Sequence, residues 1–215
     1  VEIGTATVTG TSWSFTDQLL ADGSYTYTAV VRNNVGVEGA ASGDYTITLD
    51  TQAPTASSSI IISYTDNVAP QEGEFASGSV TNDTSPSLNI IVTGSLAIGE
   101  VVAVYRDGVK IGYADLIGGD QYQFTDSALK DGRSYDYTTR VEDAAGNLGA
   151  QSDVFTVIID TTAPNVLRID SVIDDVEFIT GELSPGDYTN DRHPTVNGSG
   201  AEAHALIILK DTNGQ

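Results

Sequence analysis

Two hydrophobic runs in this chain end in the same punctuation: "DYTITLDTQAP" closes at Pro54 and "VFTVIIDTTAP" at Pro164, roughly 110 residues later. The echo extends further. "DGSYTYTAVVRNNVG" at 22–36 matches "DGRSYDYTTRVEDAAG" at 131–146, and "TNDTSP" at 81–86 matches "TNDRHP" at 189–194. A period of this length restricts the fold to an array of similar domains joined in series. Each DxxAP then marks where the last strand of one domain stops and a short linker begins, with proline blocking further ladder pairing.

Within one period, short runs rich in Val, Ile, Thr and Tyr alternate with clusters of Gly, Asn, Asp and Pro, and no helical periodicity appears. Strands are expected near 58–64, 87–93, 101–106, 109–114, 121–125, 134–142 and 153–160. About seven strands in a unit of this size make the expected fold all-β, with immunoglobulin-like β-sandwich domains in tandem, end to end. Arg106-Asp-Gly-Val109 reads as a tight hairpin. Leu129 to Tyr135 reads as the corner where a tyrosine hydroxyl bonds back to nearby backbone, and Leu20 to Tyr25 repeats it. Trp13 and Phe15 alternate as Tyr122 and Phe124 do, and core filling is the expected role of all four. Stacking of an exposed Trp13 on a sugar ring is the alternative.

The period divides the chain into the C-terminal half of one repeat (1–50), a complete repeat (51–160) and the N-terminal half of another (161–215). "ILKDTNGQ" joined to "VEIGTATV" reads like the internal hairpin "VYRDGVKIGYA". This allows two readings: the segment is a window on a longer array, or its split ends complement each other head to tail between molecules.

With 30 acidic against 9 basic residues the formal charge is −21, yet 40% hydrophobic content and 10 tyrosines argue for a folded core. That field disfavours nucleic acid and anionic membrane as partners, and no apolar run is long enough to insert into a bilayer. There is no cysteine, so disulfides and thiolate metal sites are excluded. No nucleophile elbow, phosphate-cradling loop or zinc signature is present, and no enzymatic constellation is expected. His193 and His204 stand at no metal-ligand spacing and read as surface residues.

Cations are the natural counterpart of such a surface. Strand order gathers Asp66, Glu72, Glu74, Asn82, Asp83 and Asp160 at the end where the chain leaves the central domain. Glu100, Asp115, Asp120 and the Asp143–Asn147 turn gather where it enters. Loops of Asp, Asn and Gly offer the hard oxygens that Ca2+ requires, although no EF-hand pattern occurs, and Asp in turns also serves local backbone bonding. Asp66 is echoed by Asp174, Asp83 by Asp191 and Asp50 by Asp160. Asp143 and Asn147 become Asn33 and Val37, so a weak or absent site is expected at the far end of the first half-domain.

At "SYTDNVAPQEGEFASGSVTNDTSPSL", "VVAVYRDGVKIGYAD", "LKDGRSYDYTTRVEDAAGN" and "VIIDTTAP" the chain resembles the bacterial Ig-like repeats of giant adhesins exported by type I secretion. The resemblance implies a calcium-stabilised extracellular stalk, on a Gram-negative surface, that holds a distal binding region away from the cell for attachment or biofilm formation. Neighbouring repeats are its partners, and calcium sits at their junctions. Carried over residue by residue, it supports Asp66, Asp83 and Asp160 in the central repeat, Asp174, Asp175 and Asp191 in the last, and Asp50 and Asp143, with Asn147 beside them, near the first junction. A ligand-binding module for a glycan or host protein, and spacer repeats of a large secreted enzyme, are the competing expectations.

Overall fold

The computed structural model describes residues 1–18, 20–55, 57–178, 180–203 and 205–210. His204 and the Asp211–Gln215 part of the expected split hairpin lie outside the described residues. Every regular element among those described is a strand. The chain forms two compact units, Val1–Thr161 and Thr162–Gln215.

The complete sandwich lies in the first unit. Its strands are β5 (Ser58–Asp66), β6 (Gly73–Phe75), β7 (Val80–Thr81), β8 (Ser87–Thr93), β9 (Val101–Arg106), β10 (Val109–Tyr113), β11 (Asp115–Gly118), β12 (Gln121–Thr125), β13 (Arg133–Glu142) and β14 (Phe155–Ile159); β1 to β4 precede them. One sheet runs β10-β9-β13-β14-β7 and the other β11-β12-β8-β5-β6. All seven expected strands are present. The three additional ones, β6, β7 and β11, span two to four residues, too few for an alternating pattern to register.

Alternation places the core. Leu88, Ile90 and Val92 of β8 in one sheet and Phe155, Val157 and Ile159 of β14 in the other, the latter with Val102, Val104 and Tyr137 of its own sheet, are all buried in one cluster. Each such side chain contributes roughly 1.5–3 kcal/mol of transfer free energy. The Asp107-Gly108 turn joins β9 to β10 with φ of 51° and 79° at its two central residues, the geometry that pairs Arg106 with Val109. At the corner into β13 the Tyr135 hydroxyl accepts the Lys130 N–H at 2.9 Å.

Residues 1–49 form two hairpins, β1 (Thr7–Thr9) with β2 (Ser12–Ser14) and β3 (Gly23–Tyr27) with β4 (Tyr45–Leu49). They correspond to β11, β12, β13 and β14. Trp13 is 60% exposed and Phe15 37%, which departs from the expected core filling. The reason is physical: Tyr122 and Phe124 pack on the core beside β8, whereas residues 1–49 contain no counterpart of β8. The second unit contains β15 (Arg168–Asp174), β16 (Gly181–Leu183) and β17 (Thr195–Ser199), in the order β16-β15-β17. These repeat β5, β6 and β8.

Candidate functional site: the acidic ends of the sandwich

At the leaving end, β5 delivers Asp66 and the segment after β7 delivers Asp83, each only 2% exposed. Thr81 joins them. Its hydroxyl donates to Asp66 Oδ2 and accepts the Asp83 N–H at 2.9 Å. Asp66 Oδ1 accepts the Val68 N–H, Asp83 Oδ1 the Ser85 N–H at 2.7 Å, and Asp83 Oδ2 the Asn67 N–H at a long 3.4 Å. The Asp160 N–H donates to the Thr81 carbonyl, so the departing chain passes beside the pair. Asp66, Asp83 and Asp160 thus share one end of the sandwich.

The second unit copies this arrangement. Thr189 donates to Asp174 Oδ2 and accepts the Asp191 N–H, Asp191 Oδ1 accepts the His193 N–H, and Asn190 Nδ2 donates to the Glu177 carbonyl as Asn82 does to Ala69. Asp175, next in the chain after the buried Asp174, is exposed. Sequence reasoning does not single out the threonine, although "TND" at 81–83 and 189–191 carries the signal.

The Thr81 hydroxyl thus links the Asp66 carboxylate to the Asp83 backbone N–H, and two buried carboxylates stand at the same end of the sandwich. No Lys or Arg pairs with Asp66 or Asp83 among the described residues. The Tyr64 hydroxyl, fully buried and without a well-formed hydrogen bond, has its pKa pushed up first by burial and then by the negative charge of Asp66, with Asp83 adding to it. In the second unit Asp191 Oδ2 is buried with no partner. Orphaned oxygens beside uncompensated carboxylates suit a hard cation completed by carbonyls and water. Among the described residues no three His, Asp or Glu side chains gather as a ready-made cage.

The entering end is built differently. Asp143 Oδ1 accepts the N–H groups of Ala145 and Asn147, and Asp143 Oδ2 accepts Asn147 Nδ2 at 2.9 Å. The same amide nitrogen donates to the Asp50 carbonyl at 3.0 Å, across the first junction. Asp50, Asp143 and Asn147 are therefore brought together, in a direct hydrogen-bonded latch. The Asn147 side chain is the main cause of a lowered Asp143 pKa; partial burial opposes it and the turn N–H groups assist. Beside the latch, Pro54 is buried and Gly149 lies so close that a Cβ would meet the Pro54 carbonyl at 3.0 Å. Asp22 holds the linker from the other side through Thr51 and Gln52.

The same turn in the first half-domain keeps its shape. Asn33 Oδ1 accepts the Val35 and Val37 N–H groups. It loses the carboxylate charge, and Val37 cannot donate across a junction. Glu100 stands at the entering end, where Ser57 and the Ala97 N–H bind it. Asp115 does not: it pairs with Gln123 on the edge strand, midway along β12.

Residues 61–161 match the family model described as bacterial Ig-like domain. Exoglucanase B of Cellulomonas fimi is 32% identical over 177 residues, which cover 77% of this chain and 14% of that protein. The chain thus spans a small part of the relative's length.

Proposed function

We propose that this segment, whose residues 61–161 match a bacterial Ig-like domain, is a non-catalytic extender of a bacterial extracellular protein, with junctions between successive sandwiches stiffened by hydrogen bonds and by Ca2+. The observation that carries this reading is the first junction. A bare hinge would leave the linker without partners, whereas here Asn147 binds the Asp50 carbonyl and Pro54 is buried beside Gly149. Mechanical reach requires such coupling, because each uncoupled linker lets the domains on either side reorient independently.

At the leaving end, the donors proposed for calcium are the carboxylates of Asp66 and Asp83 with Asp160 beside them; Asp174, Asp191 and the adjacent Asp175 serve in the next repeat. Bound calcium would supply positive charge that offsets their repulsion as a further domain docks. The Thr81 and Thr189 hydroxyls orient the Asp66 and Asp174 carboxylates for it and hold the backbone of Asp83 and Asp191. At the entering end, Asp50, Asp143 and Asn147 act through the latch, with further oxygens open to an ion.

The likeness to adhesin repeats supports a stalk for attachment or biofilm formation. A second host is favoured by the exoglucanase: in that reading the same extender spaces domains of a secreted enzyme. The role of the segment is the same in both. Nitrogen-15 relaxation tests it: residues 23–49 and 58–159 should tumble with one correlation time, and Asn147→Ala should separate them. Independent tumbling in the unaltered chain would overturn the extender reading.

A further inference from the structure

The outer face of the sheet β10-β9-β13-β14-β7 carries an open trough of about 520 Å³, all of it within the complete sandwich. We propose that this trough binds a neutral oligosaccharide. Alternation builds its floor: Val104, Tyr137, Thr139 and Val141 point into the core, so Tyr105 of β9 and Asp136, Thr138 and Arg140 of β13 stand on the opposite face, with Tyr105 directly across from Thr138. The segment between β13 and β14 forms the far wall. Its Gly149 and Ser152 N–H groups bond the Val141 and Thr139 carbonyls, and Ser152 Oγ accepts the Thr139 N–H, which sets Leu148, Gln151 and Val154 along the trough.

The groups that line it are not engaged with one another as they are elsewhere on this face. On the neighbouring strand Tyr113 is held by Lys110 and Glu142, whereas Tyr105 makes no ring contact and no side-chain hydrogen bond among the described residues. Arg140 has no carboxylate within ion-pair distance among the described residues, although the chain carries 30 acidic against 9 basic residues. It donates instead to Gln151 Oε1 at 3.1 Å. Asp136 Oδ1 accepts the Thr156 hydroxyl at 2.7 Å and Asp107 Oδ1 accepts the Asp136 N–H at 3.0 Å, which leaves the second oxygen of each available. Leu148 and Val154 add exposed aliphatic surface. A sugar ring has apolar C–H faces and a rim of hydroxyls that both donate and accept, so a tyrosine with aliphatic neighbours, a guanidinium, an amide and carboxylates together meet each part of it. Mixed charge disfavours the alternatives: Arg140 opposes a cation, the two aspartates oppose a polyanion, and the −21 field opposes nucleic acid. An open trough does not enclose a compact ligand, whereas a chain of sugars lies along it.

Residues 26–44 show that this lining is not needed for the fold. There the Gly39 and Ser42 N–H groups bond the Val31 and Ala29 carbonyls, and Ser42 Oγ accepts the Ala29 N–H, as their counterparts do in the complete sandwich. Yet Thr26, Val30, Glu38, Ala41 and Asp44 stand where the central repeat has Asp136, Arg140, Leu148, Gln151 and Val154. The framework forms with either set. An unpaired arginine and two exposed aliphatic residues, where the first copy has valine and two acids, make the trough a property of the central repeat and not of the scaffold.

Heteronuclear NMR of the full chain in excess chelator, titrated with cellohexaose and separately with maltohexaose to about 10 mM, tests this without involving calcium at the acidic ends. The expected result is saturable shifts with at least one of the two, centred on Tyr105, Arg140 and the Gln151 side-chain amide; the responding sugar identifies whether an extended β-linked or a coiled α-linked chain fits. Tyr105→Ala should weaken binding about tenfold or more. The double variant Arg140→Val with Gln151→Ala should do the same while keeping its melting transition, because the first copy folds its turn with those residues. Absence of saturable shifts with both sugars would overturn the proposal. So would shifts centred elsewhere, affinity unchanged in both variants, or tighter binding of an acidic hexagalacturonate.

Discussion

Asp126 shows how much one residue holds in this fold. Its Oδ2 accepts the Tyr137 hydroxyl at 2.8 Å and Arg106 Nη1 at 2.7 Å, tying the residue after β12 to the end of β9 and the middle of β13 across the two sheets. Removing the carboxylate by Asp126→Ala strands both partners and should cost about 3 kcal/mol in urea denaturation. Tyr137→Phe removes one bond and should cost about 1 kcal/mol. Burial first, then the bond to Asp126, raises the Tyr137 pKa. A raised folded-state value stabilises fully below the unfolded value near 10 and is lost as pH rises beyond it, so alkaline unfolding titrations should lose part of their slope in Tyr137→Phe. For Asp143 the sign is opposite. Its lowered value contributes above the ordinary 3.8 and is lost as pH falls below it, so junction coupling should fail first in acid. The sequence singles out Asp143 but not Asp126, because the partners of Asp126 are far along the chain and a lone "TD" before a turn looks like local backbone bonding.

At the scale of elements, the alternation in "SLNIIVT" and "FTVII" is sufficient to place β8 and β14 and the face each buries. Ile90→Ala deletes a side chain that is 1% exposed at the centre of this core, and should destabilise the sandwich by about 3–4 kcal/mol in the same urea titration. An unchanged midpoint would mean the core lies elsewhere. The shorter strands are not legible: β7 is two residues that acquire strand character only from parallel pairing with β14. The exposure of Trp13 escapes the sequence for a related reason. Periodicity reports the face on which a side chain stands but not whether the neighbouring strand is present to cover it.

For the whole molecule, repetition makes the candidate site legible as positions and leaves its chemistry unread. The echoes Asp66/Asp174 and Asp83/Asp191 locate two acidic ends, while the threonine link and the Asn147 latch depend on side-chain direction, which no pattern encodes. The central claim is that the leaving-end carboxylates hold calcium and that this ion stabilises a non-catalytic extender. Scanning calorimetry of the chain at low concentration, in millimolar calcium and then in excess chelator, tests it most directly. The account predicts a melting temperature several degrees higher in calcium, since a ligand at about 100 times its dissociation constant adds about 2.7 kcal/mol, with the gain lost in Asp66→Asn and Asp83→Asn. Identical melting in calcium and chelator would contradict it.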